Sequence, residues 1–156
     1  MSIAFTYIKQ VTFKDVTIYG NVYFANYFLW QGEAREAFLY ELIGDQKNFL
    51  NSGLRLVTST ASMKYSSEAT LMDILEIDVI PSKISMTAID IEFVFRKKER
   101  PEIISRGSQR IGFVDGKNEI VPLPKELLNK GKKYLSDELA QSVRDIEIKI
   151  DQINSK

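Results

Sequence analysis

Between residues 15 and 35 the sequence reads DVTIYGNVYFANYFLWQGEAR. It places a carboxylate at Asp15, a hydroxyl at Thr17, a glycine at Gly20, an amide at Asn21, phenols at Tyr23 and Tyr27, and a guanidinium at Arg35. The whole chain has no histidine and no cysteine. Ser-His-Asp and Cys-His arrangements are therefore excluded, and so are thiolate and imidazole metal sites. Acid–base work loses its commonest residue, leaving carboxylates, hydroxyls, guanidinium groups and backbone dipoles. The glycine stands just ahead of a crowded aromatic run that opens a helix. A tight turn there would aim the free N–H groups and positive dipole end of the helix at an electron-rich group.

The elements that must hold these groups follow from periodicity. Residues 3–13 are rich in β-branched and aromatic residues and read as a strand. Residues 14–22 form a connection. Residues 23–43 read as one long helix, because Tyr27, Trp30, Ala34, Phe38 and Leu42 recur at steps of three and four. The first half of that helix is apolar nearly all round, so other structure should wrap it. Gly44-Asp45 ends it, and a short helix or loop fills 46–53. Four strand-like segments come next, Leu54–Tyr65, Asp73–Ser82, Ser85–Lys97 and Glu102–Val114, each followed by turn chemistry. Helical pattern resumes after residue 121. No strand–helix–strand alternation appears, which argues against a parallel sheet. The fold class is α+β: one curled antiparallel sheet wrapped on one central helix. In the tail, Leu139, Val143, Ile146, Ile150 and Ile153 make a heptad seam. It is either a terminal helix docking on its own domain or a short coiled coil.

Composition narrows the function classes. The 156 residues suit one domain, and 44% hydrophobic with 27% charged residues is ordinary for a globular chain. Lys and Arg balance Asp and Glu at 21 each, with no basic stripe, so nucleic-acid binding has no electrostatic support. The N-terminus lacks a signal pattern and no apolar run reaches spanning length, so a cytoplasmic protein is expected. No cofactor or metal is expected.

The order of elements, together with QVTFKDVTIYGNVYFANYFLWQGEAREAFL (10–39), resembles the hotdog-fold thioesterases of the 4-hydroxybenzoyl-CoA thioesterase type. Val22-Tyr23, Tyr27 and Arg35 fall in place, and downstream Tyr65, Ala69 and Asp73 match a strand-pair motif. The likeness covers residues 5–125. Gly20-Asn21-Val22-Tyr23, Asn26-Tyr27 and Trp30-Gln31-Gly32 are most similar to thioesterases of enediyne polyketide pathways. Those enzymes carry asparagine three residues before the glycine, where this chain has Thr17. The resemblance implies a hotdog fold over residues 1–135, with 136–156 a separate helical tail. It also implies a homo-oligomer, dimer or tetramer, with sites between subunits.

On that reading the substrate is an acyl or polyketide thioester on acyl carrier protein or CoA. The Val22 and Tyr23 amides would face the carbonyl oxygen. Thr17 would orient water through its one donor and two acceptor sites. Arg35 would polarise the carbonyl or hold a substrate oxygen, or else pair with Glu36 or Asp73. Gly20, Asn21, Tyr27 and Asp15 would lie on the substrate side, Asp15 either sharing Thr17's face as a hidden carboxylate or standing exposed in the loop. Glu33 and Glu36 would face solvent or a second subunit. A helix rises ~16 Å between residues 24 and 35. Arg35 thus reaches Thr17 only if the loop folds back or a second chain supplies one of them. The alternatives are a general acyl-CoA thioesterase, or a non-catalytic hotdog protein binding acyl chains or a synthase partner. Hotdog hydratases generally rely on histidine and are disfavoured.

Overall fold

The computed structural model describes residues 3–156. Six strands form one sheet: β1 (Phe5–Gln10), β2 (Arg55–Tyr65), β3 (Ile74–Ile84), β4 (Ala88–Lys97), β5 (Arg100–Val114) and β6 (Ile120–Val121). Their order is β1-β3-β4-β5-β2, with β6 on β5, and every pairing is antiparallel. The helices are α1 (Ala25–Leu42), α2 (Gln46–Asn51), α3 (Lys125–Gly131) and α4 (Asp137–Asn154).

Alternation along the strands builds the core. Leu75, Ile77 and Val79 on β3 and Ile91, Phe93 and Phe95 on β4 turn to one face and are buried. Val79 lies opposite Phe93 and Ile77 opposite Phe95. Each such side chain contributes ~1.5–3 kcal/mol by leaving water. Tyr27, Trp30, Ala34, Phe38 and Leu42 form the buried stripe of α1, as the spacing predicts. This is the hotdog arrangement: a curled antiparallel sheet around a long central helix. The wrapping is incomplete within one chain, however. Phe24, Leu29 and Tyr40 are 57%, 58% and 57% exposed, and Phe28 is 37% exposed. The second apolar face of α1 has no partner among the described residues.

Two boundaries differ from the periodic reading. The first strand stops at Gln10, because Thr12 and Asp15 close a capping box over a 3-10 turn at Phe13–Asp15. The long helix begins at Ala25, since residues 21–23 pair as extended backbone. The tail is docked. Val143, Ile146 and Ile150 of α4 join the main hydrophobic cluster, with α4 lying against β3. Lys132 pairs with Glu147 at 3.0 Å, and Lys125 with Asp151. Ile153, the last residue of the heptad seam, is 51% exposed.

Candidate active site

Residues 16–22 form a small hairpin. The Gly20 amide donates to the Thr17 carbonyl (2.9 Å), the Thr17 amide donates to the Asn21 carbonyl (2.8 Å), and Val16 bridges Val22. This is a three-residue loop whose last position is left-handed. Gly20 has φ +84° with open space where a Cβ would stand, so backbone conformation, not crowding, calls for glycine. Pairing fixes Thr17 opposite Asn21. The Thr17 hydroxyl donates to Asn21 Oδ1 and accepts from the Tyr19 amide (3.2 Å). Its donor and one of its two acceptor sites are thereby used, leaving one site for water. The tip residues Ile18 and Tyr19 are almost fully exposed.

The second arm of the hairpin recruits residues 68–73. The Val22 amide donates to the Ala69 carbonyl (2.9 Å) and the Leu71 amide to the Gly20 carbonyl (3.0 Å). Asp73 closes the turn by accepting from the Thr70 amide (2.8 Å) and hydroxyl (3.2 Å), and pairs with Lys97 at 2.9 Å. Burial opposes ionisation of Asp73, but Lys97 and Thr70 outweigh it and hold its pKa below the ordinary carboxylate range. This pairing carries Glu68 to the hairpin, where its Oε1 accepts from Asn21 Nδ2 at 3.2 Å.

The start of α1 overturns the expected oxyanion donors. The Val22 amide is taken by Ala69, and the Tyr23 amide by the Asp15 carbonyl (2.9 Å). The Asn26 and Tyr27 amides bond back to the Tyr23 and Phe24 carbonyls. The Phe24 and Ala25 amides have no acceptor among the described residues. The amides without acceptors thus lie two residues beyond those that the resemblance implied. Asp15 is neither a hidden base nor an exposed acid. It is 4% exposed, its Oδ2 accepts from the Thr12 amide and hydroxyl at 2.8 Å each, and its carbonyl also holds Asn26 Nδ2. Nor does it share an extended face with Thr17, because the 3-10 turn breaks the alternation.

A cleft of about 230 Å³ opens at this end of the molecule, lined by Thr17, Asn21, Phe24, Tyr27, Tyr65 and Glu68 among others. Tyr27 forms its floor. It is 2% exposed, its hydroxyl accepts from the Ala69 amide at 3.1 Å, and its ring meets Tyr65 edge-on at 5.1 Å. Burial raises the pKa of Tyr27 and, to the same sign, of Tyr65, whose hydroxyl donates to the Phe24 carbonyl (2.8 Å). Tyr23 is half exposed on the rim. A separate void of about 30 Å³, wholly apolar, lies between Phe38, Leu42, Ile91 and Leu128. It has room for about one water and no group able to do chemistry.

Arg35 does not line the cleft. It sits ten residues beyond Ala25, ~15 Å along the axis, and reaches toward the sheet. Its Nη1 donates to Thr58 on β2 and Gln109 on β5, each at 2.8 Å. Neither Glu36 nor Asp73 forms an ion pair with it among the described residues. Burial lowers its pKa, partly offset by Glu36, and its buried Nε lacks an acceptor. Gln109 in turn donates to Gln31 Oε1 (3.1 Å), and Gln31 donates to the Ser62 carbonyl (2.9 Å). Glu33 is drawn inward rather than left to solvent, accepting from Lys9 (2.9 Å) and Tyr7 (3.1 Å) of β1. Glu36 is exposed.

Residues 11–131 match the thioesterase-like superfamily. The chain belongs to that family. Its fold is shared by the dynemicin thioesterase, a polyene-binding protein, with TM-score 0.79 and 28% identity over 85% of this chain and 97% of that one. A 1,4-dihydroxy-2-naphthoyl-CoA thioesterase from Synechocystis superposes with TM-score 0.74 at 22% identity, covering 81% of this chain and 94% of its own. A Staphylococcus aureus protein solved in complex with CoA gives 0.79 at 16%, covering 86% and 85%. The last two show the fold alone. No curated protein matches the chain. Membership supports thioester hydrolysis in general. No helix among the described residues is long and apolar enough to cross a membrane.

Within this thioesterase-like fold, Thr17, Asn21, Val22, Tyr23 and Tyr27 line one cleft, Gly20 turns the hairpin beside it, Asp15 props it from behind, and Arg35 stands apart. The sequence reading missed the Phe24 and Ala25 amides and Glu68. The first signal was present in the rule that a helix leaves its opening amides unpaired. The second was not, because 47 residues separate Asn21 from Glu68.

Proposed function

We propose that this chain is a thioester hydrolase that releases an acyl or polyketide chain from acyl carrier protein or CoA. The observation that carries the reading is the Phe24 and Ala25 amides, left without an acceptor among the described residues at the start of an 18-residue helix, beside the cleft that Phe24 lines. As water attacks a thioester, the carbonyl oxygen gains negative charge. Two fixed N–H donors and the helix dipole stabilise that charge more than they stabilise the ground state. The likeness to the dynemicin thioesterase, with the resemblance of the GNVY, NY and WQG segments to enediyne polyketide thioesterases, favours a polyketide substrate over a short acyl group.

The same reading includes a homodimer. β2 is an edge strand carrying no charge from Leu56 to Met63. An edge of that kind is a template for pairing, and the exposed face of α1 runs beside it with Phe28 and Leu29 uncovered. Arg35 lies next to this edge through Thr58. Pairing two β2 edges about a two-fold axis would carry Arg35 of one protomer toward the cleft of its partner, where a guanidinium suits a carbonyl or β-keto oxygen.

The test is thiol release from a panel of acyl-CoA and acyl-carrier thioesters of increasing length, with the oligomer measured by light scattering. Turnover of at least one class, highest for long unsaturated or β-keto chains on the carrier, is expected. Binding of acyl chains without thiol release would assign the chain to the non-catalytic alternative. Thr17 in place of asparagine and the occupied Thr17 hydroxyl are what favour that second reading.

A further inference from the structure

Water attacking a thioester must lose a proton, and the reading above leaves nothing to take it. The Thr17 hydroxyl stays neutral and its own proton is committed to Asn21. Asp15 is buried and its Oδ2 is held by Thr12. Glu33 is held by Lys9 and Tyr7 on β1. Among the side chains lining the cleft, Glu68 carries the one carboxylate. It is solvent-accessible, its Oε1 is oriented by Asn21 Nδ2 at 3.2 Å, and its Oε2 has no partner among the described residues.

We propose that Glu68 is the general base of this site, held toward the cleft by the Thr17–Asn21 pair and supplied from the loop after β2 rather than from the hairpin. The proposal rests on the hydrolase reading. In the step, the water oxygen bonds to the thioester carbon while one water proton passes to the Glu68 carboxylate. The carbonyl π pair moves to oxygen, against the Phe24 and Ala25 amides. When the carbonyl re-forms, the C–S bond breaks with its electron pair on sulfur, and the Glu68 carboxyl returns the proton there. The products are one carboxylic acid and one thiol, and Glu68 ends as it began. Thr17 and Asn21 are positioning residues in this scheme. Their hydrogen bonds fix which way the Glu68 carboxylate faces, which explains why a threonine serves at that hairpin position.

The other titratable groups around the cleft separate cleanly from Glu68. Tyr27 and Tyr65 are phenols whose pKa burial pushes up, and Tyr23 is a third phenol on the rim. The nearby carboxylates Asp15 and Asp73 sit in turns, closing on Thr12 and on Thr70 with Lys97. All five remain in a Glu68 variant.

Glu68→Gln keeps an oxygen for Asn21 and removes the base. Its kcat/KM should fall about 10²–10⁴-fold, the usual worth of a positioned base, with an unchanged melting curve. The acid limb of the wild-type pH profile should vanish from the residual activity. Glu68→Asp, which keeps a shorter carboxylate, should retain the limb and part of the rate. If the wild-type protein turns over a thioester and Glu68→Gln matches it, or keeps the acid limb, Glu68 is not the base and the hydrolase reading stands. If the wild-type protein turns over none of the panel, the hydrolase reading falls and the assignment of Glu68 with it.

Discussion

Two chains of polar side chains leave the neighbourhood of α1, and they are built oppositely. One runs Thr17–Asn21–Glu68 across the open end of the molecule and stops at a carboxylate in solvent. The other runs Arg35–Gln109–Gln31 to the Ser62 carbonyl, with Gln31 fully buried and Gln109 nearly so. The buried series is made of neutral amides apart from the arginine at its outer end. Amides satisfy one another in the core without a change of charge, so they give fixed geometry. The exposed series ends in a carboxylate that stays in contact with water. On the proposed reading, a site that both holds a substrate still and moves a proton needs one of each, and the fold supplies them at different depths.

Breaking the buried series should cost most. Gly107 on β5 lies under Gln31, and a Cβ there would stand 1.9 Å from Gln31 Nε2 and 2.8 Å from Met63 Sδ. Gly107→Ala must displace a side chain that has nowhere exposed to go and strip the Ser62 carbonyl of its donor. About 2–4 kcal/mol of stability should be lost in urea denaturation, from overpacking plus unpaired buried groups. A loss under ~1 kcal/mol would mean that the buried series is loose and the contrast is overstated.

The outer end of that series is tested by Arg35→Lys. The charge survives, but a point donor cannot reach Thr58, Gln109 and a substrate oxygen with a planar fork. The expected result is at least a tenfold fall in kcat/KM, ~1.4 kcal/mol, with melting little changed. Native-like turnover would assign Arg35 to structure, and the two series would then share no function.

A smaller effect is expected at the exposed series. Thr17→Val keeps the branched shape and removes the bridge from the Tyr19 amide to Asn21. Of the two hydrogen bonds removed, the one to Asn21 orients Glu68, and at ~1 kcal/mol its loss corresponds to roughly a fivefold fall in kcat/KM, with the pH profile unchanged in form. Full activity in this variant would remove Thr17 from the site.

Acid titration gives the mildest test. The Asp73 pKa is lower in the folded chain than in the unfolded one, so its contribution to stability is complete above the ordinary carboxylate range. That contribution is lost as pH falls through the lowered value. Wild-type and Asp73→Asn melting temperatures should therefore differ most near neutrality and converge on acidification. Parallel curves would show that Lys97 and Thr70 do not hold the Glu68 loop through charge.

Period carried most of the fold. The three- and four-residue steps in α1 name its buried residues correctly, because one continuous hydrophobic face leaves its spacing in the chain. The need for a left-handed Gly20 was legible for a similarly local reason. What failed depended on hydrogen-bond partners that periodicity does not mark, some near and some far along the chain. Val22 and Tyr23 precede a helix and look free, but Ala69 and Asp15 take their amides. Asp15 looks like a loop acid until the capping box with Thr12 buries it. Glu68 carries no local mark at all. It matters only because the strand-like pairing of residues 20–22 with 69–71 brings it beside Asn21.

The position of α1 in the chain also bears on how the protein is made. Synthesis delivers this helix before any of β2 to β5, so Trp30, which ends fully buried, leaves the ribosome ahead of β2 and β3, the later strands that α1 packs against. The pairs β3–β4 and β4–β5 are close in sequence and can zip early, whereas β1–β3 and β2–β5 join distant segments and must wait. During that interval the nascent chain carries an uncovered aromatic ridge. Tyr27, which floors the cleft in the finished protein, belongs to the ridge that a chaperone would meet first.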